Sequence, residues 1–588
     1  MTNGGGLAVM AVDALMEQQG SLARLSDETL QKLDAVLPPT WSRANPADII
    51  GDAPADRYVQ ALQILLQDAQ ADSVLIIHAP TAVASSAEIA AALVPIAQQT
   101  ARNVIACWVG GDAVTQARDL FAKAGIPTYA TPEQAVQAFM QIVQYRRNQN
   151  LLMEVPRSVP EEFAPDLEES RRIISEVHRA GRLSLSHAEV QRLLQAYGIP
   201  FVATRIAATV DEAAEAAQQI GFPVAVKILS FDISHKSDVG GVALDLATTE
   251  SVRTAALAMH ARAQQTRPVA AIQGFIVQAM VRRPHARELI VGATDDSVFG
   301  PVILFGEGGT AVEVIRDRAV GLPPLNMVLA RELMSRTRVA RLLAGYRDHP
   351  PADADAVCRT LIQVAHLIAD IPEIVELDIN PLLADEFGVL ALDARIRLCA
   401  ADSVRADRCS IRPYPAELEE WITWDGQPVL MRPIRPEDGP QHVEFFNALD
   451  PADVHFRMFM MQRELRPSQL ARFTQIDYDR EMAFIATRQL DDGRWQTLGV
   501  ARAIADPDSV RAEFAIVIRS DIKGRGLGTL LFRKLLDCLR DRGIVEVVGE
   551  TLSENHRLLA LVKRFGFACS SLPGTGIVSL RLQLKDAR

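Results

Sequence analysis

The sequence is poor in cysteine: 6 among 588 residues, at Cys107, Cys358, Cys399, Cys409, Cys538 and Cys569. No CxxC pair occurs, which argues against a disulfide framework or a zinc knuckle. The predicted compartment is a reducing cytoplasm. Long apolar runs are also missing. No stretch of about 18 apolar residues escapes polar interruption, so no membrane-spanning helix is expected. Met1 to Met10 lacks a basic region ahead of an apolar core, so it does not read as a signal peptide. Basic charge is in deficit, with 61 Lys and Arg against 73 Asp and Glu, a net charge of -12. That balance disfavours a general nucleic-acid binder. No internal repeat of 20 to 50 residues is present. What remains, 48% apolar and 23% charged residues, is an ordinary globular composition. At about 150 residues per domain the length predicts roughly four domains.

Residues 1 to about 150 alternate apolar runs with amphipathic stretches. Ser73 to His78 and Asn103 to Trp108 read as buried strands, followed by helix patterns at Ser86 to Thr100 and Asp112 to Ala124. Such alternation predicts a doubly wound parallel sheet. The chain opens on Thr2-Asn3-Gly4-Gly5-Gly6 and then an apolar helical run. A Gly-rich loop feeding a helix is the middle of a β-loop-α unit. The expectation is a domain whose first strand is missing, through a late start or a truncation, with apolar surface exposed in its place. Residues 151–170, with Pro156, Pro160 and Pro165, read as a linker. From 171 to 400 strands follow one another with fewer helices between, which predicts a largely antiparallel α+β fold. Residues 401–425 read as a second linker, and 426–588 as a last α/β domain.

That last domain carries the most informative run. Strand-like Ala512 to Arg519 leads into Lys523-Gly524-Arg525-Gly526-Leu527-Gly528 and a helix. Glycines let backbone N–H groups approach an anion, and the helix N-terminus adds its dipole. The loop therefore suits a pyrophosphate, although a Gly-rich strand-to-helix turn is also a common structural device. A second strand, Ile544 to Glu550, precedes Asn555 and Gly566-Phe567. This arrangement resembles the GNAT family of acyl-CoA-dependent N-acyltransferases over about 430–588, with Lys523 in the first place of the family's pyrophosphate motif. The resemblance implies acetyl-CoA bound by Ile518, Lys523, Gly524, Arg525, Gly526, Leu527, Gly528 and Asn555. An attacking lysine, with a free pKa near 10.4, must lose a proton, and a carboxylate can take it. The resemblance places that base on the strand before the loop, where Glu513 stands. Glu550 is the second candidate, and a solvated edge carboxylate is the plain alternative for Glu513. Many family members carry a Tyr seven residues after the Asn as general acid; here it is Val562. A thiolate of pKa about 8.5 can leave with water's help.

Residues 171 to 400 resemble the ATP-grasp part of NDP-forming acyl-CoA synthetases. The runs that carry this are Phe222 to Lys227, Ser234 to Gly241, Glu288 to Gly292, Phe299-Gly300-Pro301, Gly306 to Gly309, Glu376 to Leu382 and Ala391 to Arg395. The resemblance implies ATP contacts from Lys227, Gln278, Met280 and Glu288, with Gln278 to Met280 as the adenine hinge. It implies magnesium at Asn380 and Asp393. A lysine on a strand can meet a phosphate as a point charge, and magnesium takes only one or two side-chain oxygens. Asn380 before Pro381 also fits a turn, and Asp393 a strand-end cap. His235 fits either a phosphate-handling residue or an exposed loop histidine.

Residues 1 to about 150 resemble the flavodoxin-like CoA-ligase domain of fused synthetases, through Thr2 to Leu7, Asn45 to Asp52 and Trp108 to Gly111. That family's CoA-binding domain and phosphorylatable histidine lie upstream of the Thr-Asn-Gly-Gly-Gly loop, and neither is in this sequence. The expected architecture is thus flavodoxin-like, ATP-grasp and GNAT in order. It resembles the bacterial protein lysine acetyltransferases of the Pat type. The resemblance implies acetylation of lysines on proteins, acyl-CoA synthetases among them, with the synthetase-like part regulatory. Two other readings stand beside it. One is an ATP-binding half of an ADP-forming acetate–CoA ligase that needs a separate CoA-binding subunit. The other is a sensor whose ATP-grasp part gates the GNAT domain. Neither a nucleic-acid nor a membrane partner is expected; a homo-oligomer is compatible.

Overall fold

The computed structural model describes residues 1–160, 163–230, 232–233, 239–266, 271–309, 316–404, 408–458 and 464–584. They form two compact units, Met1–Leu152 and Met153–Arg588. The first unit holds a parallel sheet of β1 (Ser73–His78), β2 (Asn103–Trp108) and β3 (Thr128–Tyr129), in that order. Helices Ser86–Gln99 and Thr115–Lys123 cross over between the strands. A parallel sheet is covered on both faces, and accordingly Val104 to Trp108 are all buried. The Ser85 hydroxyl caps the first crossover helix by accepting from the Glu88 N–H.

The bare edge expected along β1 is corrected by the structure. The Met1 amine donates to the Leu75 carbonyl at 2.8 Å, and Ile77 N–H donates to Met1 O at 2.9 Å. Thr2 bridges Ile77 on one side and Asp48 on the other. Two residues thus suffice to occupy a strand position, because each offers both backbone groups to the ladder. Beside Met1 an apolar cavity of about 220 Å³ remains, lined by Leu15, Leu75, Val136 and Phe139 among others.

The second unit begins with two antiparallel sheets, as the succession of strands predicts. One has the order β4 (Thr204–Ala207), β7 (Gly274–Ala279), β5 (Val224–Leu229), β6 (Val242–Leu246). The other runs β10 (Arg318–Gly321), β9 (Gly300–Glu307), β8 (Arg287–Asp296), β11 (Ile374–Asp385), β12 (Gly388–Ala391), with β13 (Ala394–Leu398) also paired to β11. Helix Ala354–Asp370 is apolar nearly all round and, Arg359 apart, is buried from Ala356 to Ile368 in the core of this part. The ladder of β11 slips between Ile379 and Leu382, where Asn380-Pro381 interrupts it.

The rest of the unit is one eight-stranded sheet. Its order is β14 (Glu420–Trp424), β15 (Gln427–Pro433), β16 (Glu481–Gln489), β17 (Trp495–Ala505), β18 (Arg511–Ile518), β19 (Glu546–Leu552), β21 (Ile577–Gln583), β20 (Ala568–Ser571). Strand β14 falls inside the stretch read as a linker. Its alternating Trp421 and Thr423 against Ile422 and Trp424 was obscured by the charged, Pro-rich residues around it. Helix Leu527–Asp541 lays Leu527, Leu531, Phe532, Leu535 and Leu539 on the sheet at helical spacing. Phe514, Phe532 and Phe567 meet there with ring centroids 4.9 to 5.8 Å apart. A Cβ on Gly549 would stand 2.7 Å from the Phe514 ring, so this aromatic cluster requires glycine on the neighbouring strand.

Candidate functional site

The sheet order makes β18 and β19 parallel neighbours, and their pairing is brief. Arg511, Ala512 and Glu513 face Glu546, Val547 and Val548, and no further pair follows. Beyond Glu513 the two strands part. The groups of β18 that face β19 past that point have no ladder partner on that side. A cleft with free N–H and C=O groups on its wall can take an amide-bearing chain.

The glycine loop lies at the wide end of this cleft. Gly524 and Gly526 have φ of +82° and +91°, a backbone that only glycine adopts without strain, and Gly526 is the N-cap of helix Leu527–Asp541. Leu527 is buried in the core. A Cβ on Gly528 would stand 3.4 Å from Ile518, so the helix start sits tight on the end of β18. The two loop cations are already paired. Lys523 meets Asp453, and Arg525 meets Asp425 at 2.8 Å. The Trp424 indole holds the Arg525 carbonyl at 3.0 Å.

Glu513 stands at the narrow end. It is exposed and lines a cavity of about 320 Å³ with Gln469, Arg472, Phe473, Arg502 and Ala515. Glu550 is also exposed, and by strand alternation it flanks the splay from β19 on the same face. Asn555 caps helix His556–Arg564, accepting from the Leu558 N–H at 3.2 Å, while its amide donates to Thr551 Oγ1 at 3.1 Å. Val562, at the family's Tyr position, is fully buried and supplies no acid.

Sequence reasoning missed Arg502. Its side chain is 6% exposed and donates to the Arg472 and Phe473 carbonyls and to Glu481 at 3.4 Å. Its guanidinium also lies 5.2 Å from the Phe473 ring centroid. It thereby fastens the C-terminal end of helix Pro467–Thr474, which walls the Glu513 cavity. The only signal was an arginine inside the apolar strand Leu498 to Ala505.

The second candidate site lies where the two antiparallel sheets meet. Lys227 sits on β5, Gln278 on β7 and Glu288 on β8. The side chain of Gln278 is buried and donates to Thr204 Oγ1 and to the Leu392 carbonyl, both at 3.1 Å. Met280 gives its backbone N–H to the Pro223 carbonyl at 3.0 Å. Asn380 and Asp393 come together, since Asn380 N–H donates to Asp393 O at 3.1 Å. Asn380 Oδ1 accepts from Gly309 N–H at 2.9 Å, and Asp393 Oδ1 from Ala394 N–H at 3.0 Å. A Cβ on Gly309 would stand 2.2 Å from Glu288 Oε2, so glycine is what lets that carboxylate approach. Nearby Asp378 is raised above the usual carboxylate range by burial, with Asp393 and Glu376 adding to the rise against Arg395. Asn380 and Asp393 are thus adjacent through their main chains, and each Oδ1 already accepts a backbone N–H; as hard oxygen donors they are the type magnesium would take one or two of. Among the described residues no group of three His, Cys, Asp or Glu could hold a metal. The imidazole of His187 lies between the hinge and Asp393, 3.4 Å from Gln278 Nε2 and 3.9 Å from Asp393 Oδ1. His235 lies outside the described residues.

Fold and site together define a class: a grasp-type α+β body joined to a splayed-sheet acyltransferase fold. The chain matches the Ligase-CoA domain family over residues 1–153, the ATP-grasp domain family over 176–398 and the acetyltransferase (GNAT) family over 452–567. It is 36% identical over 405 residues to an ADP-forming acetate–CoA ligase of Archaeoglobus fulgidus, covering 68% of this chain and 56% of that protein. It is 36% identical to the beta subunit of acetate–CoA ligase [ADP-forming] II of Pyrococcus furiosus, covering 39% of this chain and 98% of that subunit. A Pseudomonas aeruginosa acetyltransferase is 34% identical, over 26% of this chain and 82% of that protein. The chain belongs to the NDP-forming acyl-CoA synthetase-like proteins fused to a GNAT domain. It spans 56% of the length of the Archaeoglobus ligase.

Proposed function

We propose that this protein transfers an acetyl group from acetyl-CoA to the ε-amine of lysines on other proteins. Acyl-CoA synthetases are the proposed targets, and the synthetase-like region is proposed to regulate the transfer. The observation that carries the reading is Glu513, the last β18 residue paired to β19, on the wall of a cavity formed by β17, β18 and helix Pro467–Thr474, with the glycine loop at the other end of the same strand. The loop's N–H groups and helix dipole suit the CoA diphosphate. The free edge of β18 suits the pantetheine amides, so the thioester comes to rest beside Glu513. The lysine ammonium enters past Phe473 and gives its proton to Glu513, directly or through water. The amine then attacks the thioester carbon, the C–S bond breaks, and the second proton of the attacking nitrogen passes through water to the leaving CoA thiolate. Glu513→Gln keeps the shape but not the base. Acetyl-lysine formed on acyl-CoA synthetases, read by mass spectrometry, should fall about 100-fold near neutral pH. Undiminished transfer would remove Glu513 from the chemistry.

A second reading rests on the meeting of Asn380 and Asp393 beside the Gln278 hinge. We infer that the ATP-grasp part binds ATP with magnesium. Calorimetry on the whole chain should show heat with ATP and magnesium that Asp393→Ala abolishes. An ADP-forming ligase half would in addition release ADP from ATP, acetate and CoA once a CoA-binding subunit is supplied. No heat in wild type or variant would take ATP out of the account.

A further inference from the structure

The Lys523 side chain is 18% exposed and its partner Asp453 15%, whereas Arg525 and Asp425 are 55% and 54% exposed. The first pair is therefore shielded from solvent and salt, and the second is not. Asp453 is also fixed from a second side. Its Oδ2 accepts from Ser520 Oγ at 2.5 Å, and Ser520 Oγ accepts from the Asp450 N–H at 2.8 Å. Asp453 belongs to helix Pro451–Met458, which packs on both β18 and β19 through a segment that includes buried Val454. That helix thus spans the place where the strands part, and one ion pair ties it to the anion loop.

We propose that Asp453 gates the diphosphate subsite of the acyl-CoA cleft. The inference rests on the acyl-CoA reading above. A carboxylate beside the loop repels a diphosphate and occupies the ammonium that would neutralise it. When CoA enters, the diphosphate takes Lys523, and Asp453 keeps only Ser520. Helix Pro451–Met458 then keeps its tie to Ser520 and loses the one to Lys523. The charge of Asp453 sets the affinity for the donor, and the exchange carries donor binding to a helix that lies over the cleft.

Calorimetry on the whole chain with CoA and with acetyl-pantetheine tests this, because acetyl-pantetheine has the thioester arm but no diphosphate. Asp453→Asn can still accept from Ser520. It should bind CoA about tenfold more tightly than wild type, a change of about 1.4 kcal/mol, with acetyl-pantetheine unchanged. Asp425→Asn, on the exposed pair, should gain less. Adding Lys523→Gln to Asp453→Asn should erase the gain. If Asp453→Asn fails to fold, Ser520→Ala loosens the same carboxylate and should tighten CoA in the same direction. CoA bound equally or more weakly by the folded variants overturns the gate and leaves the acyltransferase reading standing. Acetyl-pantetheine tightening by the same factor overturns it too, since the carboxylate then acts on the cleft at large. Absence of heat with both ligands in wild type overturns the acyltransferase reading and the gate together.

Discussion

At the scale of single residues, Arg502 shows how a side chain can serve the site without touching its chemistry. A buried guanidinium must find partners for its five donors or carry an unpaired charge in low dielectric. It finds the Arg472 and Phe473 carbonyls and Glu481, and so it holds the helix that walls the Glu513 cavity. Arg502→Met leaves both carbonyls and Glu481 unmatched. Breaking a fully buried pair costs about 3–5 kcal/mol; with Glu481 25% exposed a loss of about 2 kcal/mol is expected in urea unfolding. KM for the protein acceptor should rise several-fold while Kd for CoA stays the same. Lysine at this place cannot reproduce the fork, so Arg502→Lys should restore stability only in part. A raised Kd for CoA, with KM for the acceptor unmoved, would contradict the assignment. The same scale shows what sequence alone conveys. Gly524 and Gly526 stand in a short motif whose backbone demand is local, and both take the positive φ such a turn needs, so they are legible. Asn380 and Asp393 are singled out through the resemblance, since the residues alone fit a turn and a strand-end cap equally well. Arg502 acts on partners 21 to 30 residues away, and Asp453 and Asp425 on partners 70 and 100 residues away, which no local pattern records.

Among the elements, helix His187–Ala196 depends on its first turn and in return places His187 against Gln278 and Asp393. Ser186 and Glu189 form a full capping box, and Glu189 also meets Arg182 at 2.7 Å. Burial alone would raise the Glu189 carboxyl. The Arg182 and Ser186 hydrogen bonds outweigh it and lower the group to about 2 from 4.5. A carboxylate whose pKa falls on folding adds stability above its unfolded pKa and loses it as pH drops through the folded value. The window is therefore about pH 4.5 down to about 2. Glu189→Gln should be less stable than wild type at neutral pH, by about 1 kcal/mol, the size of a lost cap. The two stability curves should converge as the pH is lowered through that window. Parallel curves in acid would show that the carboxylate's charge is not what the helix uses. The capping box is a local pattern, Ser186 with Glu189 three residues on. Arg182 and the contact of His187 with Asp393 are not readable from it, since the latter joins positions 206 residues apart only when β13 closes on this helix.

At the scale of the molecule, the segment after Leu152 ties the grasp body to the acyltransferase sheet. Glu154 accepts from Asn326, the N-cap of helix Met327–Ser335 in the grasp body. Two residues on, the backbone pairs with the entrance to the sheet: Tyr414 N–H donates to Pro156 O at 2.8 Å, and Ser158 N–H to Tyr414 O at 2.9 Å. Tyr414 is the centre of this joint. It is 1% exposed, donates to Glu419 at 2.8 Å, and carries the Arg435 guanidinium 4.2 Å over its ring. Arg408 adds a second tie, donating to the Ile368 carbonyl at 2.9 Å and pairing with Asp295 at 3.4 Å. Neither linker read from composition is thus a loose tether, because prolines and charges mark the absence of regular elements and not the absence of partners. A joint of this kind should make the grasp body and the acyltransferase sheet unfold together. Tyr414→Ala removes a buried aromatic worth about 3–5 kcal/mol and takes one hydrogen bond from Glu419, which keeps Arg157 and Arg435. Calorimetry should then show the shared transition divided into two, the lower one carrying the loss of the near-ultraviolet signal from Trp421, Trp424 and Trp495, all in the acyltransferase sheet. CoA should raise only that lower transition, because a ligand stabilises the part that binds it, and ATP with magnesium only the other. A single transition moved down without dividing would mean that Arg408 and the remaining contacts couple the two parts without this joint.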